Sequence, residues 1–316
     1  FTNGLIKLKV ENEIIKIKKQ VAEEPFNLEK GPLFRGQIIQ LKNQEYLAIF
    51  SAHHIICDGN SWWLLISDLG KIYSALKQGL DPQLEPADSF SEYAILEGEK
   101  NNDPQQKETE EFWVKQFTQS VPVLDLPTDK PRPSLRTFNS AREDFILSPQ
   151  LYRKLKQFGI KHGCTFMTTM LAGFEVFLNR ITGQEDVITG VPSSIQAFSG
   201  KYNLLGHCVN LLPIRAFVSP EQTFTEYLHM RKGAILDAYD HQDFTFGRLL
   251  QKLTIKRDQS RIPLVPITFF VGHNTDFSFG EELETEVYSN PLSFNNFEIS
   301  IYSTVINEKV ILECQY

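Results

Sequence analysis

The sequence predicts an α/β fold of the α+β kind, mixed sheet layered with helices, and three patterns carry that prediction. Strand-like runs and helical-period segments occur in both halves of the chain, they lack the regular strand-helix-strand repeat of a doubly wound fold, and a proline-rich connector separates the halves. Phe34 to Leu41 and Tyr46 to Ser51 read as strands flanking the polar turn Lys42-Asn43-Gln44-Glu45, a hairpin. Past Asn60-Ser61, the residues Leu65, Leu69, Ile72 and Leu76 follow a helical period that stops at Gly79, so a strand enters the loop His53 to Ser61 and the loop opens a helix. Between Val121 and Phe138, Pro122, Pro127, Pro131 and Pro133 bar a regular helix and mark a subdomain boundary. Beyond it, Phe145-Ile146-Leu147 reads as a strand, Ser148 caps a helix to about His162, and Thr165 to Thr182 is an apolar helix ended by Gly183. Asp186 to Pro192 and Cys208 to Val218 are strands, Phe224 to Asp240 is a helix, and strand-like runs recur near Val265 to Val271, Phe297 to Val305 and Val310 to Glu313.

Composition narrows the function classes. The 316 residues carry 32 Lys and Arg against 39 Asp and Glu, a net charge of −7, and no basic block is long enough to track a phosphate backbone, so nucleic acid is not expected as a partner. No apolar run of about 18 residues and no secretory layout occurs, which argues against a membrane partner. The cysteines Cys57, Cys164, Cys208 and Cys314 lie far apart, so neither a disulfide framework nor a zinc site is expected, and a reduced, cytoplasmic setting follows. The start at Phe1 and the stop at Tyr316, just after an apolar run, are expected of a piece cut from something longer.

The densest cluster of reactive side chains is His53-His54-Ile55-Ile56-Cys57-Asp58-Gly59, at a strand end where working groups tend to be presented. His54 suits a general base or an amine-orienting acceptor, because imidazole titrates near neutrality. Asp58 could hold the loop through an ion pair with an arginine, and Gly59 would let backbone approach a substrate. The plainer reading leaves both histidines as strand-end residues. A metal site is not expected: His54 and Asp58 lack a third ligand nearby.

His53-His54-x-x-x-Asp58-Gly59 resembles the H-H-x-x-x-D-G signature of condensation domains of nonribosomal peptide synthetases, within the chloramphenicol-acetyltransferase-like superfamily. Further resemblances follow in order: Phe90-Ser91-Glu92-Tyr93-Ala94 to Y-x-D-F-A, Leu126 to Pro133 to L-P-T-D-x-P-R-P, and Gly206 to Arg215 to G-x-F-V-N-T-x-x-x-R. His241 to Phe246 is similar to H-Q-D-Y-P-F, and Arg257 to Leu264 to R-D-x-S-R-N-P-L. The family's two earliest motifs have no counterpart, and Cys208, Leu211, Ile262, Gly247 and Asn60 depart from its usual residues. Asn60-Ser61-Trp62 is also similar to epimerisation domains, but the later motifs follow the condensation pattern; the aspartate-based motif of heterocyclisation domains is absent.

The resemblance implies two acetyltransferase-like lobes in a V-shaped pseudo-dimer, residues 1–130 (incomplete, with the histidine loop) and 131–316, around a shared tunnel. It implies amide bond formation by a synthetase, alone or joined to a polyketide synthase: a carrier-bound aminoacyl amine attacks a carrier-bound acyl or peptidyl thioester. His54, His53, Asp58 and Gly59 would be the catalytic loop. Asn210, Ser61, Arg257 and Asp258 would line the tunnel or act structurally, with Asn210 open between the two, Ser61 read as the helix N-cap, and Arg257 with Asp258 as a surface or interdomain ion pair. His241 and Asp243 are read as fixing a turn, Trp62 and Trp63 as core or interface. No cofactor is expected in the domain itself; 4'-phosphopantetheine arms would present substrates from upstream donor and downstream acceptor carrier proteins, among neighbouring synthetase domains. The rival readings are a non-catalytic carrier-recruiting module of the same fold and a stand-alone coenzyme A acyltransferase.

Overall fold

A computed structural model describes residues 2–100, 104–256, 258–273, 279, 283–306 and 308–316. Its elements are α1 (Thr2–Glu23), β1 (Phe34–Lys42), β2 (Glu45–Ala52), α2 (Gly59–Lys77), α3 (Phe90–Glu99), α4 (Pro104–Phe117), β3 (Arg142–Leu147), α5 (Pro149–Lys161), α6 (Phe166–Thr182), β4 (Asp186–Ser194), α7 (Ile195–Ser199), β5 (Val209–Phe217), α8 (Phe224–Asp240), α9 (Phe246–Lys252), β6 (Ile267–His273), β7 (Ile299–Ile306) and β8 (Lys309–Gln315). β1 and β2 form an antiparallel hairpin, and its turn carries Gln44 at φ +61. Phe34 packs on Phe50 and on Trp62, which seats α2 against the hairpin.

The remaining strands form one six-stranded sheet in the order β3-β8-β7-β6-β4-β5, with β7/β6 and β6/β4 parallel and the other pairs antiparallel. The mixed sheet and layered helices are those the sequence predicts. Short-range signals place the ends: Ser148 and Thr165 accept hydrogen bonds from the amides of Leu151 and Thr168, and Gly183 ends α6 in the left-handed region at φ +70. The core is built from Leu171, Ile188, Leu212, Ile235 and Phe269, with Trp113 and Phe117 of α4 in the same cluster. α4 therefore belongs to the packing of the large sheet although it precedes the proline-rich connector.

Inside that packing, Glu175 of α6 receives both Nε and Nη2 of Arg231 at 2.8 Å and the Tyr227 hydroxyl at 2.7 Å, all three residues buried. Two of the sequence motifs serve to pin the connector. Arg132 makes a bidentate pair with Glu298 and donates to Ser260 O, while Arg261 donates to Leu124 O at 2.9 Å. Arg215, which closes a third motif, pairs with Asp186 and holds the end of α4 through Gln116 O and Ser120 O.

Candidate active site

The histidine loop leaves β2 through a turn closed by Ile56 N–H on His53 O at 3.0 Å. His53 is used inside the loop: its amide donates to Leu33 O at 2.9 Å, its Nδ1 accepts the Ile55 amide at 3.1 Å, and its ring stands edge-on to Phe26. Those contacts make His53 a shaper of the turn that presents His54.

Asp58 is the N-cap of α2, with extended backbone and its carboxylate accepting the Ser61 amide at 2.9 Å. This corrects the assignment of the cap to Ser61, which instead sits one turn in, buried. Ser61 Oγ lies 2.8 Å from Asp58 Oδ1 and 3.0 Å from Gly206 O, and accepts the Gly206 amide at 3.0 Å. With one proton to give, that hydroxyl is shared between its two acceptors. The other Asp58 oxygen receives Gln196 Nε2 at 2.9 Å and the Cys208 amide at 3.0 Å. Asp58 thus takes hydrogen bonds from neutral groups, and no arginine is among its partners within the described residues; the arginine that the resemblance suggests belongs to an early motif without a counterpart in this sequence. Well-placed neutral donors satisfy a buried carboxylate, because each stabilises the ionised form without bringing in a second charge to desolvate.

The same contacts close the second half of the chain onto the histidine loop. Asn60 Nδ2 adds a bond to Ser194 Oγ at 3.1 Å. Gly206 takes φ +156, and a Cβ there would stand 2.2 Å from the Phe90 ring, so only glycine fits this crossing. Around Gly59, by contrast, nothing lies within 4 Å of a Cβ position, leaving the first turn of α2 open to close approach.

The closure brings His54 to His207, with Nδ1 to Nδ1 at 2.9 Å and the rings nearly edge-to-face. His207 is the residue the sequence pattern does not single out, because it fills the unspecified position after Gly206 and meets His54 only through tertiary packing. The His54 imidazole is held below its ordinary 6.5, first by loss of surrounding water, then by His207, with its own backbone and Asp58 opposing. The direction favours the neutral imidazole, the form able to take up a proton. The neighbouring thiols are the reverse: burial and the Asp58 charge push Cys57 up to about 11 and Cys208 up to about 12, so neither is a ready thiolate nucleophile.

Asn210 is buried and spends its whole amide on the chain. Nδ2 donates to Gln242 O and Phe244 O at 2.8 and 2.9 Å, and Oδ1 accepts the amides of Leu211 and Phe246. This is the structural alternative for Asn210, a clamp between β5 and the turn before α9. His241 caps the end of α8, stacks on Phe112 at 3.9 Å and donates Nδ1–H to Asp237 O, while Asp243 accepts from Gln106. Arg257 lies outside the described residues. Asp258 bonds the Ser260 amide and hydroxyl, which hold its carboxyl below the usual range, and stands 3.8 Å from Arg261.

A family model described as the condensation domain matches residues 5–316. Bacitracin synthase 1 of Bacillus licheniformis is 34% identical over 310 residues, 95% of this chain and 6% of that protein. Surfactin synthase subunit 2 of Bacillus subtilis (strain 168) is 36% identical over 294 residues, 93% of this chain and 8% of that protein. The chain thus spans a small fraction of these curated relatives. Among solved structures, the first condensation domain of the CDA synthetase superposes with a TM-score of 0.82 at 19% identity, covering 96% of this chain and 66% of that one. The X-domain from teicoplanin biosynthesis gives 0.79 at 20% identity, covering 93% and 69%. At those identities the likeness is one of fold.

Proposed function

The chain belongs to the condensation-domain family, and from that premise we propose that it joins two carrier-bound substrates by an amide bond, the aminoacyl amine of one attacking the acyl or peptidyl thioester of the other. The observation that carries this reading is His54 presented just before the N-terminus of α2, on a loop tied to the second half of the chain through Asp58. An amine whose ordinary pKa is about 7.7 to 8.0 is partly neutral at physiological pH, so its nucleophile need not be made by prior deprotonation. His54 receives the amine proton as the C–N bond forms and returns it to the thiolate sulfur as the C–S bond breaks. The Gly59 amide, in the first turn of α2 where helix amides lack intrahelical acceptors, is the donor this reading assigns to the oxyanion.

Positioning of two tethered reactants supplies up to about 7 to 11 kcal/mol of the barrier, against roughly 3 to 5.5 kcal/mol for a general base. Binding and alignment are therefore the larger part of the work. In this reading residues 1–130 and 131–316 are two lobes with the site between them, α4 of the first packing into the core of the second. The 4'-phosphopantetheine arms of an upstream donor and a downstream acceptor carrier protein bring the substrates, neighbouring synthetase domains load and receive them, and the setting is cytoplasmic. Among the described residues no helix is long and apolar enough to cross a membrane.

The test mixes the full-length protein with separately loaded donor and acceptor carriers and weighs the acceptor carrier by mass spectrometry. The joined product on the acceptor carrier is expected; two unchanged loaded carriers would refute the reading.

A further inference from the structure

We propose that His207 is a positioning residue for His54, accepting its Nδ1–H and so fixing the tautomer whose Nε2 is bare to receive the amine proton. The inference rests on the reading of His54 as the proton acceptor. A separation of 2.9 Å between the two Nδ1 atoms requires one proton between them, since two protonated nitrogens repel and two bare ones cannot bond. A neutral imidazole carries one N–H. If His54 gives its Nδ1–H to His207, its Nε2 is a base; in the reverse arrangement His54 Nε2 holds the proton and can only donate.

The chemistry selects the first arrangement. When the amine proton passes to His54 Nε2, the new imidazolium keeps its Nδ1–H on a neutral His207, and that bond becomes charge-assisted. An interaction that strengthens as the transition state is reached lowers the barrier, whereas one equally strong beforehand does not. Proton balance is unchanged by His207: the amine N–H breaks, the C–N bond forms, the C–S bond breaks, and the proton goes through His54 Nε2 to sulfur.

The surrounding structure holds His207 in place on both sides. Gly206 is locked by Ser61 Oγ and by the Phe90 ring, and the Cys208 amide is locked on Asp58 Oδ2. The backbone on both sides of His207 is thereby fixed, and its exposed ring stands opposite His54, one loop away from the cap of α2. The titratable groups acting on His54 are His207 from this segment and Asp58 and His53 from its own loop. Glu97 of α3 acts on Cys208 and on Tyr93, away from His54, and Cys208 stays protonated there.

The experiment compares wild type, His207→Ala and His207→Asn in the full-length protein. One readout is the titration of His54 by histidine C2 hydrogen–deuterium exchange with peptide mapping. The other is single-turnover amide formation across a pH series. Asparagine places Oδ1 near the position of the lost Nδ1 and can accept the same hydrogen. His207→Ala is expected to lower the His54 pKa, since a neutral acceptor on Nδ1–H favours the imidazolium whereas the repulsion that opposes it needs both rings protonated, to move the acid limb of the rate with it, and to slow the plateau rate by about 10- to 100-fold, the worth of one hydrogen bond to a charged group. His207→Asn is expected to recover the larger part of the rate. An unmoved His54 titration in His207→Ala, or a plateau rate within about twofold of wild type, would overturn the proposal. If wild type forms no amide, the proposed function fails, and the exchange titration alone still decides whether His207 governs His54.

Discussion

Replacing Asp58 by alanine deletes an N-cap and the acceptor of two buried donors at once. Loss of a capping side chain costs about 1 kcal/mol, and each buried donor left without an acceptor about 1 to 3 kcal/mol. Ser61 Oγ keeps Gly206 O as an acceptor, so the orphans are Gln196 Nε2 and the Cys208 amide. A total near 3 to 7 kcal/mol is a large share of the roughly 5 to 15 kcal/mol that stabilises a folded domain. At about 2 to 4 °C per kcal/mol, the melting temperature should fall by roughly 10 to 20 °C. Asp58→Asn should fall less, because Gln196 can turn its amide to meet the new NH2. The assay is thermal denaturation of each variant beside single-turnover amide formation well below its melting point. A soluble Asp58→Ala variant that melts with wild type and forms no amide would refute the reasoning, for the carboxylate would then act in the chemistry rather than in holding the loop.

His54→Ala should slow single-turnover amide formation by about 10² to 10⁴ with little change in melting; an unchanged rate would remove His54 from the chemistry. Because the folded His54 pKa lies below 6.5, its base form predominates above that pH and the rate should fall as pH drops through the lower folded value, while a His54-dependent limb centred above 6.5 would contradict the electrostatics. The same sign holds for folding: the unfolded chain binds the proton more tightly, so the stability contributed by His54 is present above pH 6.5 and is lost as pH falls through the folded value. Arg231→Ala strands the buried Glu175 charge and should destabilise by about 3 to 5 kcal/mol in denaturant titration, whereas Glu175→Gln combined with Arg231→Met should recover a large part of it. Cys57 and Cys208, with thiols near 11 and 12, should resist iodoacetamide in the folded protein at neutral pH and react on unfolding; rapid native labelling would show thiolates at the site.

What was legible in the sequence was local. The caps Ser148 and Thr165, the stop at Gly183 and the strands of the large sheet all rest on short-range chemistry and alternation. α4 escapes that reading because its apolar residues Phe112, Trp113 and Phe117 crowd one end of a charged segment, and only the neighbouring sheet makes that end a core. The choice of Asp58 over Ser61 as cap is likewise tertiary: both residues suit the position, and the bonds from Gln196 and Cys208 fix Asp58 in extended backbone. His54 was legible as a candidate base from residue type and loop position. His207 was not, since 153 residues separate the two histidines and no periodicity reports a contact of that range.

The most direct measurement is the intact mass of the full-length protein held with loaded donor carrier alone, followed by addition of loaded acceptor carrier. Direct transfer through a neutral His54 predicts no acyl mass on the chain in the first stage and, in the second, an amide on the acceptor carrier whose formation collapses in His54→Ala. A stable acyl adduct on the chain from donor alone, passed on when acceptor is added, would contradict it.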